Sequence, residues 1–136
     1  MTALAALGLL VIRLVVGLTF AAHGTQKLFG WFGGHGLEGT GGFFESIGIK
    51  PGRTMALLAG ISEVAGGVLF AAGFLTPLAA LLIIGTMIVA IVKVHGANGY
   101  WVTQNGTEYN VMLIVVALGV ALIGAGSYSL DALLFT

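Results

Sequence analysis

Four apolar runs constrain this chain more than any other feature. They cover roughly residues 4–28, 54–74, 77–94 and 108–124. A helical span needs about 20 mostly apolar residues, and each run meets or approaches that length. Backbone groups in lipid must be satisfied within the segment, and these runs are too long for barrel strands. Composition points the same way: 58% of the 136 residues are hydrophobic and 7% charged, against roughly 25% charged in a soluble domain. So few charges cannot clothe a water-facing surface. The expectation is an all-α membrane protein, a single domain over residues 1–136 built as a four-transmembrane-helix bundle. The first run lacks a positive n-region and is too long for an h-region, so it reads as a span and not a cleavable signal. Five basic residues balance five acidic ones, and no polybasic arm suggests a nucleic acid. The absence of cysteine excludes a disulfide framework, dithiol chemistry and cysteine-held iron–sulfur clusters.

The connections differ sharply. Gly73-Phe-Leu-Thr-Pro77 is a tight turn, which makes the second and third helices an antiparallel hairpin, with Pro77 in a first turn where its missing N–H costs nothing. Residues 97–107 carry two Asn-Gly turn signals, with Tyr100 and Trp101 suited to the interfacial aromatic belt. The first connection is the longest and richest in glycine. Within it Thr40 is placed to cap a short interfacial or re-entrant helix bearing Phe43, Phe44 and Ile47, stopped by Gly48 and Pro51. At the far end Ser129 can cap a short segment, 130–135, with Asp131 in its first turn. Glycines inside the spans read as close helix packing.

Charges are costly at bilayer depth, roughly 2.5–3.5 kcal/mol or more when facing lipid. Arg13 and Glu63 fall inside spans one and two, so both should face the interior, and their positions suggest an ion pair between antiparallel neighbours. That pair serves equally well to fix which helix faces which or to floor a ligand site. A second polar group gathers at one end. Lys27 shares a helix face with Arg13 and Gly24, His23 is one position round, the third span ends in Lys93-Val-His95, and the fourth opens with Glu108-Tyr-Asn110. Plainer readings exist for each member: snorkelling lysines, an acid favoured at a helix N-terminus behind Thr107, a satisfied polar histidine. Their convergence carries more weight than any one of them. The candidate ligand-binding residues are thus Arg13, His23, Lys27, Glu63, Lys93, His95 and Glu108, forming a polar vestibule flanked by Trp31 and Trp101. Such a mixture suits a small anion, or a quinone head group with its tail in lipid. Histidines at two helix ends can in principle grip haem, but no tight ligand spacing supports a metal. No cofactor is fixed by the sequence.

Taken in order, Arg13-Leu-Val-Val-Gly17, His23-Gly24, Lys27-Leu-Phe-Gly30, Ile47-Gly-Ile-Lys-Pro51, Glu63-Val-Ala-Gly-Gly67, Gly73-Phe-Leu-Thr76 and Ser129-Leu-Asp131 resemble the DoxX family of small bacterial membrane proteins across nearly the whole chain. The resemblance implies four membrane helices in a bacterial inner membrane. Some members of that family are linked to thiosulfate:quinone oxidoreduction and others to membrane oxidoreductase complexes that answer thiol or oxidative stress. Distant eukaryotic relatives act as assembly or cargo factors. Two functions therefore stand side by side: a subunit of a quinone-linked redox system, or a non-enzymatic membrane scaffold. The implied partners are the lipid bilayer, a redox protein and further copies of the chain. Lys27, Lys50, Arg53 and Lys93 share one side of the expected bundle. The positive-inside rule puts that side in the cytoplasm and both termini outside.

Overall fold

The computed structural model describes residues 1–135. Helix α1 runs Ala3–Phe29, α2 Gly36–Ser46, α3 Gly52–Ala72, α4 Thr76–Ala90, α5 Glu108–Ile123 and α6 Leu130–Phe135, with no strand among the described residues. Thr2 begins α1 by accepting from the Ala5 N–H at 3.0 Å. Gly30 ends it in the left-handed region, φ 75°, returning its N–H to the Gln26 carbonyl. Left-handed Gly73 ends α3, and Pro77 sits in the first turn of α4. Beyond Ala90 the helix widens into a π-helical turn, Ile91–His95, before a last 3₁₀ turn at Gly96–Asn98.

Three helices are long and apolar enough to cross a membrane: Ala3–Phe29, Gly52–Ala72 and the continuous Thr76–Asn98. The fourth expected span is shorter. Helix α5 has 16 residues, which at about 1.5 Å each reach ~24 Å against ~30 Å of hydrocarbon. The short helix of the first connection starts at Gly36, earlier than a Thr40 cap implies, so Thr40 lies inside it. It lies against α3 and is fastened there. The Glu45 carboxylate accepts from the Gly52 N–H at 2.6 Å, and Arg53 pairs with Glu38.

Helix α1 packs most extensively on α3, α3 on α4, and α4 on α5. The first contact depends on small residues. A Cβ on Gly24 would lie 2.7 Å from the Gly60 carbonyl oxygen and 2.8 Å from the Val64 nitrogen, so only glycine permits that approach. The buried core joins Leu9 and Phe20 of α1, Phe70 of α3, Ile83 and Met87 of α4, and Leu113, Ala117 and Val120 of α5. Large apolar residues such as Leu4, Val15, Leu81, Val92 and Leu122 remain exposed on the outside, as expected of helices solvated by lipid. The start of α5 is beside His23, whose ring lies 5.6 Å from that of Tyr109. Its far end is beside the beginning of α1, where Gly126 lies next to Leu9.

Candidate functional site

A cavity of about 900 Å³ opens where the end of α1, the first connection, α3, the end of α4 and the start of α5 meet. Of the seven expected residues, five line it: His23, Lys27, Glu63, Lys93 and His95. At its centre Lys27 Nζ donates to both oxygens of Glu63, at 2.9 and 3.0 Å. Glu63 is buried, its side chain 4% exposed, whereas that of Lys27 is 26% exposed. The pair forms because Gly24 lets the two backbones touch just before Lys27, one turn from Glu63.

His23 hydrogen-bonds through Nδ1 to Gln26 Oε1 at 3.1 Å, and Gln26 Nε2 donates to the Phe32 carbonyl at 3.1 Å. The loop after α1 therefore folds back over the helix end. Gly34 presses on Gln26 so closely that a Cβ there would overlap it. Asn110 is buried, donates to Met87 Sδ at 3.4 Å, and leaves its Oδ1 without a partner. His95 Nδ1 meets the Asn105 carbonyl at 2.8 Å. Lys93 lies in the π-helical turn and is exposed. Much of the remaining wall is apolar, including Phe43, Phe44, Leu58, Leu81, Leu82 and Val89. Trp31 and Trp101 are both exposed.

Two expected members lie elsewhere, and the expected ion pair does not form. Arg13 is buried in the first half of α1, away from the cavity, where its guanidinium donates to the carbonyls of Ala71, Ala125 and Tyr128. The cause is helix register. Gly17 lies against Gly67 and Ala71, and Gly24 against Gly60 and Val64, so Arg13 is level with the last turn of α3 and Glu63 with the region of Lys27. Glu108 is also outside the cavity. Its carboxylate accepts from the Val102 N–H at 3.0 Å and closes the loop before α5, while Thr107 makes no side-chain cap. Its neighbours Tyr109 and Asn110 take the cavity-facing positions.

Gln26 was not singled out in the sequence, although its place three residues after His23 puts the two on one helix face. No group of three or more His, Cys, Asp or Glu side chains is gathered to hold a metal among the described residues. The arrangement supplies a neutralised ion pair, three imidazoles (His23, His35 and His95), a phenol and two amides among apolar residues, which suits a polar head group on an apolar body.

Comparison with known proteins agrees with the resemblance. The family model described as DoxX matches residues 8–96. CatD of Bacillus subtilis, provisionally named an oxidoreductase, is 31% identical over 95% of this chain and 88% of its own length. An uncharacterized membrane protein of Mycobacterium tuberculosis is 30% identical over 88% of this chain and 77% of its own. The inner membrane protein YqjF of Escherichia coli is 30% identical over 93% and 92%. No solved structure matches the chain.

Proposed function

This chain belongs to the DoxX family, and on that premise we propose that it is the membrane subunit of a quinone-linked or membrane-associated oxidoreductase system. On this reading it holds a quinone or a small anionic reductant in the cavity at one end of its helices, and a partner protein carries the redox centre. The single observation that carries the reading is the cavity itself: about 900 Å³, lined by Lys27, Glu63 and His23 together with many apolar side chains. The name given to the Bacillus relative is consistent with it. The chain has no cysteine, so any thiol step belongs to the partner. Purification from native membranes tests the reading. Quinone should be found in the lipid extract, in lower amount for His23→Ala at equal yield. A preparation that neither retains quinone or hydroquinone nor takes up either form when it is added would refute the quinone-linked reading.

We also read the domain as a single unit in a bacterial inner membrane, with α5 as the fourth crossing and α2 lying in the interface. Support for the crossing comes from the course of α5, from the level of His23 to the level of Leu9. One observation favours the second function, a non-enzymatic scaffold or assembly factor: Lys27 and Glu63 already satisfy each other and tie α1 to α3 directly. A protein that copurifies with another polypeptide and carries no small molecule would select that reading.

A further inference from the structure

Gln26 lies at the edge of the polar cluster and touches two groups at once. The Phe32 carbonyl can only accept, so the Gln26 amide must turn its NH₂ toward it, at 3.1 Å. That leaves Oε1, an obligatory acceptor, 3.1 Å from His23 Nδ1. A neutral imidazole has one proton, and facing an acceptor, Nδ1 must carry it. Nε2 then holds a lone pair, and no described residue hydrogen-bonds to it. The same logic applies to Asn110. Methionine sulfur only accepts, so the amide NH₂ faces Met87 Sδ and the buried Oδ1 remains unpartnered. The strongest donor of the cavity centre, the Lys27 ammonium, is turned to both Glu63 oxygens. Two acceptors among the lining residues are therefore left without a partner, His23 Nε2 and Asn110 Oδ1, alongside the hydroxyls of Ser62 and Tyr109 and the Lys93 ammonium.

We propose that Gln26 is a positioning residue that locks His23 with its proton on Nδ1 and its Nε2 open as an acceptor, so that the cavity selects ligands whose head group donates a hydrogen bond. Hydroxylated aromatics of the hydroquinone class fit this rule. The corresponding quinones, whose oxygens only accept, cannot use His23 Nε2 and keep only the donors of the wall. The inference rests on the cavity being a ligand site, as proposed above, and adds which redox form it prefers.

The test uses the purified full chain in lipid nanodiscs, without oxygen, at about pH 8, above the ordinary imidazole range. A short-chain ubiquinol and the matching ubiquinone are titrated separately by calorimetry. The ubiquinol should bind roughly tenfold tighter, the ratio expected of one additional well-formed hydrogen bond. Gln26→Leu should reduce that ratio to less than about threefold, chiefly by weakening the ubiquinol. Nitrogen-15 spectra of His23 provide a second readout, independent of binding. The wild type should show the Nδ1–H tautomer, and Gln26→Leu a shift toward Nε2–H. Equal binding of the two redox forms, with both weakened by His23→Ala, would overturn the inference while leaving the site reading intact. Binding of neither form would overturn both. Should Gln26→Leu fail to fold, the wild-type ratio and the wild-type tautomer decide alone, since an Nε2–H ring in the wild type contradicts the proposal.

Discussion

Lys27 and Glu63 are unequal partners. The acid is buried on α3, while the base extends from the last turns of α1 with 26% of its side chain exposed. Removing the lysine strands a carboxylate in a low-dielectric site. Removing the acid leaves an ammonium that can swing toward water. We therefore predict that Lys27→Ala destabilises more than Glu63→Ala. The loss for Lys27→Ala should be roughly 3 kcal/mol, the low end for an orphaned buried charge, because the carboxyl can take up a proton instead. Denaturation of both variants in one detergent checks the order, and a greater loss for Glu63→Ala would contradict it. At this scale the sequence was informative about which polar residues gather, since five of seven line one cavity. It was misleading about pairing. Arg13 and Glu63 look level when spans are counted from their ends, but the true register is fixed by glycine contacts at 17 and 24 that no single-chain pattern reveals.

Individual helices announce their ends clearly, and these were legible: Gly30 and Gly73 stop α1 and α3 as the left-handed region allows. Less legible was where a terminal side chain is used. Ser129 does cap α6, accepting from the Ala132 N–H at 3.1 Å. Asp131, expected to serve its own helix, instead serves α4. Its carboxylate accepts from the Leu75 N–H at 2.7 Å, the Thr76 N–H at 3.0 Å and the Thr76 hydroxyl at 2.6 Å. Burial alone would raise the Asp131 carboxyl; the Thr76 hydroxyl, the Thr76 and Leu75 N–H groups and nearby Arg13 outweigh it and hold it below the usual range. A depressed folded value means the stabilisation is present above the ordinary carboxylate range and disappears as pH falls through the folded value. Asp131→Ala should thus cost about 1 kcal/mol at neutral pH, the usual worth of an N-cap. Melting curves of variant and wild type should draw together as pH falls below the ordinary carboxylate range. A constant difference across that range would count against the cap.

For the whole molecule, the topology turns on α5, which we propose as the fourth crossing. A helix that starts beside His23 and ends beside Leu9 returns the chain to the side where α1 began. On that proposal both termini lie on one face, and by the positive-inside rule the basic residues Lys50 and Arg53 would place the other face in the cytoplasm. A C-terminal reporter active only outside the cell is the expected result; cytoplasmic activity would reverse the orientation. The apolar runs made the all-helical character and three membrane-length helices readable, whereas the 16-residue length of α5 and the cavity between helix ends depend on packing that no run length encodes. The tie at Arg13 bears also on the order of biogenesis. Its carbonyl partners are Ala71, Ala125 and Tyr128, and two of these are translated more than a hundred residues after it. While the ribosome is still working, an inserted α1 therefore carries a guanidinium whose coordination is incomplete. Insertion and closure are separate events, and a nascent chain halted before residue 125 would leave the translocon with that charge still seeking its carbonyls.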